Sequence, residues 1–378
     1  MKNLHRVFLA VAALLIAPVA GYAQHYTQTN IDSDLVPIAP NSADAMLLNP
    51  WGLARTATSP WWIGDNGAGL STIINASTNA KQALVVTVQG LNGHTSTPTG
   101  VVANGNTGGG GTTAEFQVAG VSARFIFVTE DGTVNQWPGT GTLAPIVVHN
   151  EGKAVYKGVT IAEWNSKHYL YAANFKTGKV DVFDTNFAPV SLGKHAFQVD
   201  ADDNRNEHAD GRGRDDDDNF VPFNVQAIGG NVFVTYAKRE PGSIDEEHGA
   251  GLGFVLVFDG GGNKLAKLQH GPWFDAPWGV AMAPGEFGEF SHDILIGNFG
   301  SGQIAAFNPV NGDFVGLMKD PSNNTLAIEG LWAIGFGNGG SSGAYNALFF
   351  TAGPNDESDG LFGKLAPIAA ELAEVDEP

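Results

Sequence analysis

Six segments of the chain open alike, and this repetition constrains the fold more than any other feature. They are Pro50-Trp51-Gly52-Leu53-Ala54, Pro98-Thr99-Gly100-Val101-Val102, Tyr156-Lys157-Gly158-Val159-Thr160, Pro222-Phe223-Asn224-Val225-Gln226, Pro277-Trp278-Gly279-Val280-Ala281 and Leu331-Trp332-Ala333-Ile334-Gly335. Each is followed by a second apolar run ending in small or polar residues, as in Trp62-Ile63-Gly64-Asp65-Asn66 and Phe127-Val128-Thr129-Glu130-Asp131. A third run then starts behind a glycine: Gly69, Gly132, Gly178, Gly253, Gly302 and Gly360. Short alternating runs punctuated by Gly, Asn and Asp are strands and turns. A unit of three or four strands recurring at roughly 50–60 residues is a propeller blade.

The expected fold is therefore all-β, a single-domain six-bladed β-propeller, with blades near residues 49–97, 98–155, 156–221, 222–275, 276–328 and 329–369. Each blade buries its faces against its neighbours, so a closed ring needs no caps and leaves few free strand edges. Thr29 to Asp34 precede the first unit and are expected to complete the last blade. A β-sandwich or a right-handed β-helix is the alternative, but solenoid rungs are shorter and need terminal caps.

The ends read differently. Lys2, His5 and Arg6 precede an apolar run from Val7 to Ala17, then Pro18 and the small-residue site Gly21-Tyr22-Ala23. This has the form of a secretory signal over residues 1–23, too short to span a bilayer. The propeller is expected over residues 24–369, with an acidic tail at 370–378 and no transmembrane segment in the mature chain. The expected location is secreted or periplasmic. Composition agrees: 39 acidic against 20 basic residues give a formal charge of −19, which repels nucleic acid and anionic lipid and suits soluble export or divalent cations. The chain has no cysteine, so disulfides and thiolate chemistry are excluded.

Inner strands line a propeller's channel, and superposing the six openings places Trp51, Thr99, Lys157, Phe223, Trp278 and Trp332 at one level, with Asn224 one position further on. The second-strand ends bring Asp65, Asn66, Glu130, Asp131, Asn174, Lys238 and Asn298 toward the same rim. The candidate ligand-binding residues at the channel mouth are Trp51, Asp65, Asn66, Glu130, Asp131, Lys157, Asn174, Asn224, Lys238, Trp278, Asn298 and Trp332. Carboxylate and amide oxygens suit Ca²⁺ or a polar ligand, and Asp or Asn at strand ends equally cap turns. The indoles can pack blade to blade or stack on a ligand. Lys157 and Lys238 each need a carboxylate, with Glu130 or Asp65 as the expected partner.

An acidic insertion from Asp200 to Asp218 resembles a calcium loop in composition, but Arg205 and Gly211 stand where an EF-hand needs glycine and glutamate. Glu246, Glu247 and His248 lie in another polar loop with no distinguishing pattern. A Gly-x-Ser-x-Gly spacing occurs once, at Gly339-Gly340-Ser341-Ser342-Gly343, inside a glycine- and serine-rich loop and not between a strand and a helix, and no His-Glu-x-x-His or Gly-Lys-Ser/Thr loop occurs, so a nucleophilic hydrolase is not supported.

Several runs resemble one family of exported bacterial proteins defined by sequence, some of which carry a PEP-CTERM sorting tail. They include Asn49-Pro50-Trp51-Gly52-Leu53-Ala54, Ala123-Arg124-Phe125-Ile126-Phe127-Val128-Thr129-Glu130-Asp131-Gly132-Thr133, Ala276-Pro277-Trp278-Gly279 and Phe349-Phe350-Thr351-Ala352-Gly353-Pro354. The likeness covers about Thr29 to Gly363; the acidic end of the chain lacks such a tail. More remotely the repeat is similar to NHL-like propellers and to gluconolactonase-like hydrolases, which hold a central divalent metal on Glu, Asn and Asp. That second likeness implies Glu130, Asn174, Asn224 and Asn298 as metal ligands by residue type alone. The expected function is binding of a small polar ligand, a polysaccharide or an extracytoplasmic protein at the channel mouth. The alternative is a divalent-metal-dependent lactone or ester hydrolase, with Ca²⁺ as Lewis acid and Glu130 or Asp65 as base.

Overall fold

A computed structural model describes residues 25–36, 38–108, 114–200 and 219–368. The expected signal segment, most of the acidic insertion and the acidic tail lie outside the described residues. The chain forms a six-bladed propeller, and each inner strand is the segment that opened a sequence repeat. Blade 1 runs outward through Pro50–Ala54, Trp61–Asp65, Leu70–Asn75 and Val86–Val88. Blade 2 follows as Pro98–Ala103, Phe125–Thr129, Thr133–Trp137 and Ile146–His149. Blade 3 has three strands, Tyr156–Trp164, Lys167–Asn174 and Lys179–Phe183. Blade 4 comprises Phe220–Ile228, Asn231–Lys238, Phe254–Asp259 and Lys264–Lys267, and blade 5 Pro277–Met282, Ile294–Asn298, Ile304–Phe307 and Phe314–Leu317.

Blade 6 takes Leu331–Phe336, Leu348–Ala352 and Leu361–Pro367 from the C-terminal end and Tyr26–Ser33 from the N-terminal end. The two ends pair antiparallel from Tyr26 opposite Pro367 to Ser33 opposite Leu361. The ring is thus sealed by an N-terminal strand, as expected, although that strand starts three residues before Thr29. Burial explains its position: Tyr26 and Ile31 are fully buried, and the Tyr26 hydroxyl donates to the Phe287 carbonyl of blade 5 at 2.8 Å.

Four of the six glycines ahead of the third strands, Gly69, Gly132, Gly178 and Gly302, are left-handed turn residues. Gly302 has φ +69°, and a Cβ there would run into the carbonyl of Ile328. Apolar residues from adjoining blades fill the spaces between sheets. Phe220, Tyr236, Phe254 and Phe258 of blade 4 join Tyr171 and Val182 of blade 3, each large side chain contributing about 1.5–3 kcal/mol on burial.

One feature of the inner strands has no counterpart in the sequence pattern. Every pairing of an inner strand with its neighbour shifts register at the channel-level residue. The shift skips Trp51, Thr99, Lys157, Phe223, Trp278 and Trp332 in turn. A β-bulge re-aims the side chain it carries, and six of them turn one ring of side chains toward the axis. Just beyond the bulge the strands nearly touch. A Cβ on Gly52 would overlap the Thr99 carbonyl, and one on Gly100 would stand 2.6 Å from the Val159 nitrogen.

Candidate functional site

The bulges build the floor of the site. Trp51, Phe223, Trp278 and Trp332 converge with Phe175 and Phe299 into one buried cluster. Trp51 stacks on Trp332 at 3.5 Å, Phe299 stacks on the other side of Trp332 at 3.9 Å, and Trp278 meets both indoles edge-on. The Trp278 Nε1 donates to the Lys157 carbonyl at 3.0 Å, and the Trp332 Nε1 to Asn49 Oδ1 at 3.0 Å. The indoles are therefore packing residues that close the channel. The Trp51 Nε1 is buried and has no hydrogen bond among the described residues.

The two remaining members of the ring are polar. Thr99 Oγ1 donates to the Tyr156 carbonyl at 2.7 Å, tying blade 2 to blade 3. The same link recurs at alternate blades: Thr351 Oγ1 of blade 6 donates to the Trp51 carbonyl at 2.6 Å, and Asn224 Nδ2 of blade 4 to the Trp278 carbonyl at 2.8 Å. Asn224 Oδ1 accepts from the Val225 amide. Lys157, the sixth member, is buried. Its ammonium donates to Glu130 Oε1 at 2.7 Å and lies 4.9 Å from the Trp51 ring centre and 5.5 Å from that of Phe175.

Above this floor the Lys157 ammonium pairs with Glu130 and interacts electrostatically with Glu246, Glu357 and Asp245. Glu130 ends the second strand of blade 2, and its Oε2 accepts from Asn66 Nδ2 at 3.0 Å. Glu246 comes from the rim loop of blade 4 and Glu357 from that of blade 6, so alternate blades supply the three acids. Burial pushes the Glu246 carboxyl up to about 7, the Lys157 charge pulling it back and Glu357 adding to the rise. Burial also raises Glu357, opposed by its bond from Asn49 Nδ2 at 2.6 Å and by Lys157, and reinforced by Glu130 and Asp245. For Lys157 burial lowers the ammonium, but Glu130 and Glu246 outweigh it and hold it above the ordinary lysine range.

The loop that presents Glu357 is strained. Asn355, Asp356 and Glu357 have φ of 55°, 51° and 63°, a left-handed run costing about 1–2 kcal/mol per residue. It is held by the Asn355 amide donating to Glu329 Oε1 at 2.9 Å and by Asn355 Nδ2 donating to Asp359 Oδ2 at 2.7 Å. A cavity of about 350 Å³ opens beside Glu130 over the top of blade 2, lined also by Asp131, Glu151, His94, Asn92 and Lys176. Asp131 Oδ2 is buried there without a hydrogen bond among the described residues, and burial raises its carboxyl, with Glu130 and Glu151 adding.

The remaining candidates stand apart. Asp65 is fully buried and accepts from the Thr72 amide at 2.8 Å and from its hydroxyl, so it closes its own turn; burial raises its carboxyl well above the usual range. Lys238 pairs with Glu247 at 3.2 Å, a residue of its own blade, and with neither Glu130 nor Asp65. Asn174 Nδ2 binds Asp181 and its Oδ1 accepts from the Val155 and Thr177 amides. Asn298 Oδ1 accepts from the Asp275 amide and its Nδ2 donates to the Gln303 carbonyl. The set Glu130, Asn174, Asn224 and Asn298 therefore does not fit one divalent ion, because the three amides serve three separate turns and inter-blade links. Reading the sequence assigned no site role to Asn49 or Glu357 and placed Glu246 only in a polar loop with no distinguishing pattern. Only the acidic character of their loops was visible, and it is shared with many loops in this chain.

No family model matches the chain. Two uncharacterized proteins of Acanthamoeba polyphaga mimivirus are similar to it. One is 29% identical over 85% of this chain and 76% of its own length, the other 27% identical over 85% and 81%. These relatives are viral, whereas the sequence motifs had pointed to exported bacterial proteins. Among solved structures, the PQQ-bound aldose sugar dehydrogenase of Streptomyces coelicolor superposes with a TM-score of 0.50 over 91% of this chain and 98% of that one, at 13% identity. That likeness shows the propeller fold and nothing of the chemistry. No helix among the described residues is long and apolar enough to cross a membrane.

Proposed function

We propose that this chain is an exported ligand-binding propeller whose mouth receives a small organic cation, an ammonium group on a polar body. One arrangement carries the reading: the buried Lys157 ammonium pairs with Glu130 at 2.7 Å, and Glu246 and Glu357, in the rim loops of blades 4 and 6, are near enough to feel its charge. These three acids, with Asp245 acting on the same group, leave an excess of negative potential around Lys157 that a second cation would offset. The cavity beside Glu130, lined by Asp131, Glu151 and Lys176 and not by Glu246 or Glu357, has a volume in the range of small-molecule sites. The basic start and apolar run of residues 1–23 support export. The alternative, a Ca²⁺-dependent hydrolase, has weaker support, since the amides it would use are engaged elsewhere and Asp65 is sealed in a turn.

The test is calorimetric titration of the chelator-treated protein with putrescine, tetramethylammonium and calcium chloride at pH 6 and pH 8. An ammonium should bind more tightly at pH 8, where Glu246 is ionised, and at least tenfold more weakly to Glu357→Gln. Saturable binding of calcium alone would transfer the assignment to the metal-dependent alternative. Silence toward both ammonium probes would remove the cationic-ligand reading.

A further inference from the structure

The channel has a second end, and its chemistry is the opposite of the first. Past the bulges the inner strands continue to the other face and enclose a cavity of about 400 Å³. Every blade contributes an apolar wall residue: Leu53, Val101, Val159, Ile228, Val280 and Ile334. The inner end is shut. Only about 20 Å³ remains where Gly52, Gly100 and Gly279 crowd the axis, and the buried aromatic floor lies beyond. The cavity is a blind cup open to one face, its side chains mostly apolar and its exposed lining a mixture of polar and apolar atoms.

Its rim carries one charge. The Arg55 guanidinium donates from Nε to the Phe336 carbonyl at 2.7 Å, from Nη2 to the Gly337 carbonyl at 3.1 Å and from Nη1 to the Thr56 carbonyl at 3.5 Å. It also lies 5.5 Å from the Trp61 ring centre. All of these partners are neutral, and Arg55 has no carboxylate partner among the described residues. That is notable in a chain with 39 acidic and 20 basic side chains. A guanidinium has five N–H donors, so both terminal nitrogens keep a hydrogen free. The carbonyls fix the fork in place, and planar forks match carboxylates. Gln226, also on the wall, uses its Nε2 on the Ala227 carbonyl at 3.4 Å and leaves its carboxamide oxygen open.

We infer that this cup is a binding site for a small amphiphile of the alkyl-carboxylate class, its chain in the channel and its head on Arg55. Apolar walls with a few placed polar groups are the usual make-up of a small-molecule pocket. The charge selects an anion here, whereas the acids at the other mouth reject one. The aromatic floor separates the two sites, so this inference stands whether or not the mouth binds an ammonium.

Methionine methyl resonances provide the test. Among the described residues, Met282 lines the cup, while Met46 lies on the surface outside it and Met318 is buried in the core. Protein labelled at the methionine methyls is titrated with decanoate and with decan-1-ol, both below their aggregation limits. A saturable shift of Met282 alone is expected with each, decanoate binding at least fivefold more tightly. Arg55→Gln should equalise the two ligands, and Arg55→Lys should keep part of the preference. Absence of any saturable Met282 shift overturns the site. Equal affinity of the wild-type protein for both ligands overturns the head-group assignment, and that comparison holds even where a variant does not fold.

Discussion

Lys157 donates to Glu130 at 2.7 Å from a side chain 2% exposed, while the Glu130 side chain is 17% exposed. The ammonium therefore depends on the carboxylate more than the reverse, because Glu130 also has Asn66 and partial solvent access. Removing one partner of a buried pair leaves the other charge uncompensated. Glu130→Gln should cost about 3–5 kcal/mol, and Lys157→Met less. The double variant should be more stable than the sum of the singles predicts. Urea midpoints of the four proteins measure this; strict additivity would mean that the pair carries no coupling.

Stability should fall as pH rises through the weakly acidic range. The Glu246 carboxyl titrates near 7 in the folded chain against 4.5 as its ordinary value. Between those values the folded state holds a proton the unfolded state has lost, so its contribution is full below 4.5 and gone above 7. The swing is on the order of 3 kcal/mol. Asp32, raised to about 7 chiefly by burial and then by Asp44, acts in the same direction. Thermal midpoints from pH 5 to pH 8 should decline in the wild type and decline less in Glu246→Gln. Identical slopes would show that Glu246 is not the titrating group.

Asn49 joins the floor to the rim, accepting from Trp332 and donating to Glu357. Asn49→Ala strands a buried indole N–H and frees a half-buried carboxylate, which should cost about 1–3 kcal/mol. The same change should weaken ligand binding at the mouth by displacing Glu357. Wild-type stability in this variant, read by denaturant unfolding, would contradict the bridging role.

The closing strand should govern cooperativity. Deleting residues 24–33 removes Tyr26 and Ile31 from the core and exposes the edge of Leu361–Pro367. An open propeller with a free edge should unfold at least 10 °C lower, given about 2–4 °C per kcal/mol for mid-sized chains, and should tend to associate edge to edge. Calorimetry with light scattering reads both effects, and an unchanged monomeric melt would show that closure is dispensable.

The blade count, the inner strands and the third strands behind glycine were all legible, because each is a local pattern repeated six times. Boundaries were close: the inner strand of blade 4 begins at Phe220, before the expected Pro222. Part of the site was legible as well. The equivalence of Trp51, Thr99, Lys157, Phe223, Trp278 and Trp332 follows from aligning the repeats, and Glu130 was one of two named partners for Lys157. Asn174 and Asn298, named as site candidates, have their amides engaged in turns; an amide at a strand end looks the same in sequence whether it closes a turn or meets a ligand.

The sequence alone determined the ring: six similar units, each too small to bury its own faces, must stack and close on one another. It also determined which residues stand at channel level, since equivalent positions in equivalent strands occupy equivalent places. Only the tertiary structure decided which way those side chains turn, because the bulge at each inner strand arises from the pairing of two strands. The grouping of Glu130, Glu246 and Glu357 around the charge of Lys157 likewise depends on closure. These residues sit in blades whose separation along the chain bears no relation to their distance across the ring, and their loops share no local signal. The contrast between an acidic mouth and a single arginine at the other end follows from the same cause, as charge in a propeller is sorted by face only once the ring exists.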